Sequence, residues 1–132
     1  MMSFEGRFKF QDHENYEEFL KLLDFGWFKR KRALFFCPIL TINEKPRGTL
    51  HFKGDCCKEK IVILGEEHQE IMPNGEAADA LTVREGDDCL ITRLKAPWNL
   101  EIRREFTPKA MTQFIRHLES DMEAIRYFKR LN

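Results

Sequence analysis

The stretch NLEIRREF, residues 99–106, places a reactive group where a strand pattern would put hydrocarbon. In an extended chain alternate side chains point to opposite faces. Ile102, Arg104 and Phe106 then share one face, and Glu101, Arg103 and Glu105 share the other. The second face is an ordinary solvated one. The first sets a permanent cation between two apolar residues, and a charge on a buried face is costly unless a partner neutralises it. A guanidinium stays protonated, and its planar fork matches a carboxylate with two hydrogen bonds. The chemistry offered is therefore anion pairing, either capture of a ligand's anion or an interior salt bridge with no ligand role. Arg126 in EAIRYFKR is ambiguous by parity. Either it shares such a face, or Ile125 and Tyr127 point inward and Arg126 lies in solvent.

Other reactive side chains give weaker patterns. His68 and Glu70 fall on the same strand parity, so both belong to one face. His13, His51, His68 and His117 show no pair at metal-binding spacing, so no metal and no cofactor is expected. Cys37, Cys56, Cys57 and Cys89 lack CxxC or zinc-type spacing and read as reduced thiols of a cytosolic protein. No serine-centred elbow, phosphate loop or Cys–His signature is present, and no enzymatic activity is expected. The run KRKR, Lys29–Arg32, is either a solvated helix face or a surface that meets anionic membranes, with Trp27 and Phe28 beside it.

The elements that must position these residues follow from periodicity. Asn15 with Glu18 three residues on is a capping-box-like helix start, and Tyr16, Phe19, Leu20 and Leu23 form one apolar stripe. Gly26 interrupts it, and a second short helix is expected from Trp27, with Trp27, Phe28, Leu34 and Phe35 on its apolar side, giving a helical pair over about 15–36. The remainder reads as short strands between turn signals: PILTINE, TLHFK, KIVILG, QEIMPNG, a hairpin ALTVREGDDCLITRLK around Gly86–Asp88, then LEIRREF, AMTQFIRHLE and MEAIRYFKR. Many short strands at regular spacing imply a closed antiparallel barrel or a sandwich. At 132 residues, with 42% apolar and 33% charged residues, the chain reads as a single globular domain over 1–132. Its 22 basic and 22 acidic residues cancel, which gives no general attraction to nucleic acid. The N-terminal MMSFEGRFKF carries no signal-peptide pattern, and no apolar run is long enough to span a bilayer.

Taken together these segments resemble the intracellular lipid-binding protein family, the fatty-acid-binding and retinoid-binding proteins of the calycin type. The resemblance is carried by FEGRFKF followed by ENYEEFLKLL, by FKRKRA, by ILGEEHQE, and by IRREF and EAIRYFKR, in that order over the whole chain. It implies an all-β fold, an up-and-down ten-stranded antiparallel β-barrel with a helix-turn-helix lid over a water-filled cavity. It implies Arg104, Arg126 and Gln113 as anchors for a ligand carboxylate, with Phe128 beside them. Ile115, Phe52, Leu94 and Tyr16 would contact the ligand, as would Leu50, Val62, Leu64, Met72, Leu90, Thr92, Ile102 and Leu20. Glu70 would be a polar lining residue. His68, which departs from a common Phe, would be either a ligand hydrogen-bond donor or a water-bound histidine. The stretch around GDCCKEK is shorter than usual and the turn LESDME longer, which bears on ligand type more than on fold.

The implied function is an intracellular carrier of a long-chain fatty acid or similar hydrophobic acid, expected as a monomer in the cytoplasm and also the nucleus. Trp27, Lys29, Arg30, Lys31 and Arg32 would make transient contact with a membrane surface or partner. A carrier of retinoid or another lipid that acts mainly by ligand-dependent delivery to nucleus or membrane is the alternative, and an enzyme on a lipid-like substrate is the remaining rival.

Overall fold

Period-two burial runs through nearly every strand and gives the sheet one buried face. In AADALTVRE, for example, Ala78, Ala80 and Thr82 are buried while Asp79, Leu81 and Val83 are exposed. The computed structural model describes residues 4–23, 26, 39–54, 59–72 and 76–131. Ten strands appear: β1 (Gly6–Glu14), β2 (Ile39–Glu44), β3 (Thr49–Gly54), β4 (Lys60–Ile63), β5 (Glu67–Ile71), β6 (Ala77–Glu85), β7 (Cys89–Leu94), β8 (Leu100–Phe106), β9 (Ala110–His117) and β10 (Glu123–Leu131). One helix, α1 (Tyr16–Leu22), follows β1.

All pairings are antiparallel, and the order β4-β3-β2-β1-β10-β9-β8-β7-β6-β5 is a meander closed by the ladder between β1 and β10. The expected all-β barrel is therefore the fold. Its strands β4 and β5 are edges that share no ladder. The turn between them is instead pinned on both sides, by Leu64 N–H donating to the Gly48 carbonyl and Gly65 N–H to the Thr82 carbonyl, each at 2.9 Å. The hairpin expected around Gly86–Asp88 is present, with Gly86 at φ 69 supplying the left-handed residue the tight turn needs. Among the described residues, no helix is long and apolar enough to cross a membrane.

The helix departs from expectation at its start. Asn15 sits at φ 60 and makes no side-chain cap bond. A left-handed residue turns its side chain away from the first-turn N–H groups. Its amide instead donates to the Glu123 carbonyl at 3.0 Å, tying the helix entrance to β10. Glu18, the other half of the expected capping box, pairs with Lys21 at 2.9 Å. Tyr16, Phe19 and Leu20 are buried, as the apolar stripe predicts. The expected second helix from Trp27 lies outside the described residues.

The interior is layered. One apolar cluster joins Phe4, Phe8, Ile42, Leu50, Phe52, Val62, Leu90, Phe106, Met111 and Phe128. A second, capped by α1, joins Tyr16, Phe19, Leu20, Ala78, Ala80, Leu94, Trp98, Leu100, Ile115 and Ala124. Along each of four neighbouring strands a polar inward residue separates the two: Thr92 between Leu90 and Leu94, Arg104 between Ile102 and Phe106, Gln113 between Met111 and Ile115, and Arg126 between Ala124 and Phe128. The barrel thus carries a polar belt between two hydrocarbon layers.

Candidate functional site

The belt is built by register. Arg104 on β8 faces Gln113 on β9, Gln113 faces Arg126 on β10, and Arg126 faces His13 on β1. His13 reaches this row through a break in register between Phe10 and Asp12, a bulge that resets the parity of β1 so that both Phe10 and His13 follow the inward residues of β10. Arg104 and Gln113 are 7% and 6% exposed, so an arginine and an amide occupy positions normally taken by hydrocarbon.

The parity of β10 is resolved with Arg126 inside. Its Nη1 donates to Gln113 Oε1 at 3.2 Å, and its guanidinium lies 4.9 Å from the Tyr16 ring centroid, 5.0 Å from Phe128 and 5.1 Å from Phe10. Tyr127, the neighbour with opposite parity, donates its hydroxyl to Glu14 on the exterior. Arg104 lies 5.3 Å from the Phe52 ring. Aromatic faces stabilise both cations without neutralising them. Among the described residues, Nε of Arg104 and Nε of Arg126 are buried and have no hydrogen-bond partner. Burial pushes the pKa of Arg104 down; Glu70 opposes that shift and Arg126 adds to it. A guanidinium begins so far above neutrality that it remains charged.

Across the interior a second polar group spans the open edge. Lys60 on β4 donates to both Glu70 carboxylate oxygens on β5 at 2.7 Å, and His68 Nε2 lies 2.9 Å from Glu70 Oε2. Burial alone would raise the Glu70 pKa, but the His68 hydrogen bond, then Lys60 and Arg104, outweigh it and hold Glu70 at about 2. Lys60 shifts opposite to what an ion pair alone would give, because burial, with Arg104 adding to it, outweighs Glu70. Lys60 and Arg104 both lie against Phe52, at 4.9 and 5.3 Å from its centroid, so that one ring joins the two polar groups.

Of the residues singled out from sequence, Arg104, Gln113, Arg126, Phe128, Phe52 and Tyr16 form one connected group, and Glu70 joins it electrostatically through Arg104. Ile115 and Leu94 lie in the apolar layer beneath α1. Leu50, Val62, Leu90, Thr92 and Leu20 are buried, and Leu64, Met72 and Ile102 are half-buried against the two clusters. Trp27 and Lys29–Arg32 lie outside the described residues. Lys60 and His13 were not anticipated. Lys60 shares the parity of Val62 and Leu64, a signal present in the sequence, whereas His13 depends on the bulge.

No protein-family model matches the sequence. A curated fatty acid-binding protein of Tyrophagus putrescentiae is 25% identical over 132 residues, covering 98% of this chain and 99% of the relative. Among solved structures, the fatty acid-binding protein of Schistosoma mansoni in complex with arachidonic acid is similar with a TM-score of 0.86 at 22% identity, covering 100% of this chain and 98% of that one. Fatty-acid-binding protein 1 of Echinococcus granulosus is similar with a TM-score of 0.85 at 16% identity over the full length of both chains. A fatty acid-binding protein from Drosophila melanogaster brain tissue has a TM-score of 0.81 at 23% identity, covering 96% of this chain and 99% of that one. The strand order, the position of the helix and a similarity that runs the length of the chain make this protein similar in fold to these fatty acid-binding proteins.

Proposed function

We propose that the chain, acting as a single domain, is a non-enzymatic intracellular carrier of a long-chain fatty acid or a similar hydrophobic acid. The observation that supports this reading is the row Arg104–Gln113–Arg126 between two apolar layers, with two buried guanidinium Nε–H groups that no atom of the described residues accepts. A ligand carboxylate provides the missing acceptor and the missing charge. Gln113, already bound to Arg126, fixes the orientation of that pair. The alkyl tail gains about 0.8 kcal/mol per buried CH₂, on the order of 10 kcal/mol for a ~16-carbon chain before the entropic cost of binding. The shape and similarity of the barrel support a lipid as the cargo, and the fatty acid-binding names of its relatives support an acid in particular.

The test separates head group from tail. Palmitic acid and hexadecanol share a chain and differ in charge. Arg104→Ala and Arg126→Ala should each weaken palmitate binding by about 10- to 100-fold, as the loss of one or two charge-assisted hydrogen bonds requires. Hexadecanol binding should change by less than about threefold. Equal losses for both ligands, measured by displacement of a fluorescent probe, would remove the arginines from the head-group site.

A further inference from the structure

Besides the two arginine Nε atoms, two buried imidazole nitrogens have no partner among the described residues, Nδ1 of His13 beside Arg126 and Nδ1 of His68 away from that row. The His68 side chain is 9% exposed and points inward from β5 with Glu70, while Glu67, Gln69 and Ile71 point out. Its Nε2 is bound to Glu70 Oε2, and its Nδ1 is buried with no partner among the described residues. An ionised carboxylate can only accept a hydrogen bond, so Nε2 carries the proton. In the neutral ring Nδ1 is then a lone-pair acceptor, and in the protonated ring it is a donor. Opposite His68 and Glu70 across the β5–β6 ladder stand Ala80 and Ala78. These are the smallest side chains with a Cβ, and neither offers the imidazole a hydrogen-bond partner. The other buried hydroxyls nearby on β6 and β7, Thr82 and Thr92, bond to each other at 2.7 Å and do not compete for it.

We propose that His68 Nδ1 is a second polar anchor inside the barrel, and that the preferred cargo is a fatty acid carrying a hydroxyl group on its chain. This rests on the carrier reading above and specifies its substrate class. A hydroxyl on an alkyl chain pairs with Nδ1 in either protonation state, since it donates as well as accepts. Glu70 and Lys60 position the ring and fix its tautomer; His68 makes the contact.

The experiment measures displacement of a fluorescent fatty acid by palmitic acid and by a positional series of monohydroxyhexadecanoic acids, with hexadecanol and matching hexadecanediols in parallel. For at least one hydroxyl position, the affinity ratio of hydroxy acid to palmitate should fall about tenfold in His68→Phe, the size of one buried hydrogen bond. The ratio should be partly retained in His68→Gln, whose amide also donates and accepts. Thermal melting checks that each variant folds, and His68→Gln provides the ratio if His68→Phe does not. If no isomer changes its ratio by more than about twofold in a folded variant, the second anchor is overturned while the carboxylate site stands. If a His68-dependent hydroxyl preference appears among the alcohols but palmitate binds no better than hexadecanol, the second anchor is supported and the head-group reading fails.

Discussion

Glu70 shows how one interior charge links fold to pH. Its folded-state pKa is about 2, against an ordinary 4.5, so the folded protein favours the ionised form more than the unfolded chain does. A depressed carboxylate contributes stability above its ordinary value and loses it as pH falls towards the folded value. The contribution is at most about 3 kcal/mol, and it should disappear between about pH 4.5 and 2. Urea denaturation across that window tests this. The stability gap between wild type and Glu70→Gln should shrink as the pH drops, and parallel curves would show that the Lys60–Glu70–His68 group does not stabilise the fold in this way. Part of this group was legible in the sequence, because His68 and Glu70 share strand parity. Its closure by Lys60 was not. Lys60 and Glu70 meet between two strands that share no backbone ladder, so neither alternation nor turn spacing brings them together.

Elements built from regular alternation could be read from sequence, and those that break it could not. Arg104 lies inward as IRREF predicts because β8 runs without interruption from Leu100 to Phe106. Arg126 was undecided by parity alone, since Ile125 and Tyr127 are equally good inward residues. The ladder to β9 and the Glu14–Tyr127 contact decide it. On β1 the bulge beyond Phe10 has no local sequence mark, and it determines which face His13 takes. At the other end of β1, Gly6 lies at φ 154, and a Cβ there would come within 2.7 Å of Arg130 Nη1. That guanidinium is not free to swing aside: it covers the Phe8 ring at 4.7 Å and bonds the Glu5 and Thr107 carbonyls. Gly6→Ala should therefore cost about 1 kcal/mol or more. Chemical denaturation would show the loss, and it should diminish in an Arg130→Ala background.

At the scale of the whole molecule, stability is distributed unevenly around the barrel. β8, β9 and β10 have ladder partners on both sides, whereas β4 and β5 each have one. Outward residues Ile61, Ile63 and Ile71 on those two strands are 53%, 45% and 70% exposed, so they contribute little burial to hold them in place. Backbone amides of β4 and β5 should therefore lose hydrogen-exchange protection before those of β8 to β10, and uniform protection around the sheet would contradict this.

The same edge has a further consequence. Leu131 lies opposite Arg7, so the two ends of the described chain come together where β1 and β10 pair. Suppose they were linked there by a short flexible peptide, and the backbone cut instead within Leu64–Glu66. The rearranged polypeptide would run β5 through β10 and then β1 through β4, and each strand would bond only to the one synthesised just before or after it. The single pairing that now spans the chain would become local. Such a circular permutant would have a much shorter average loop to close, and it should reach the same barrel faster than the natural order does.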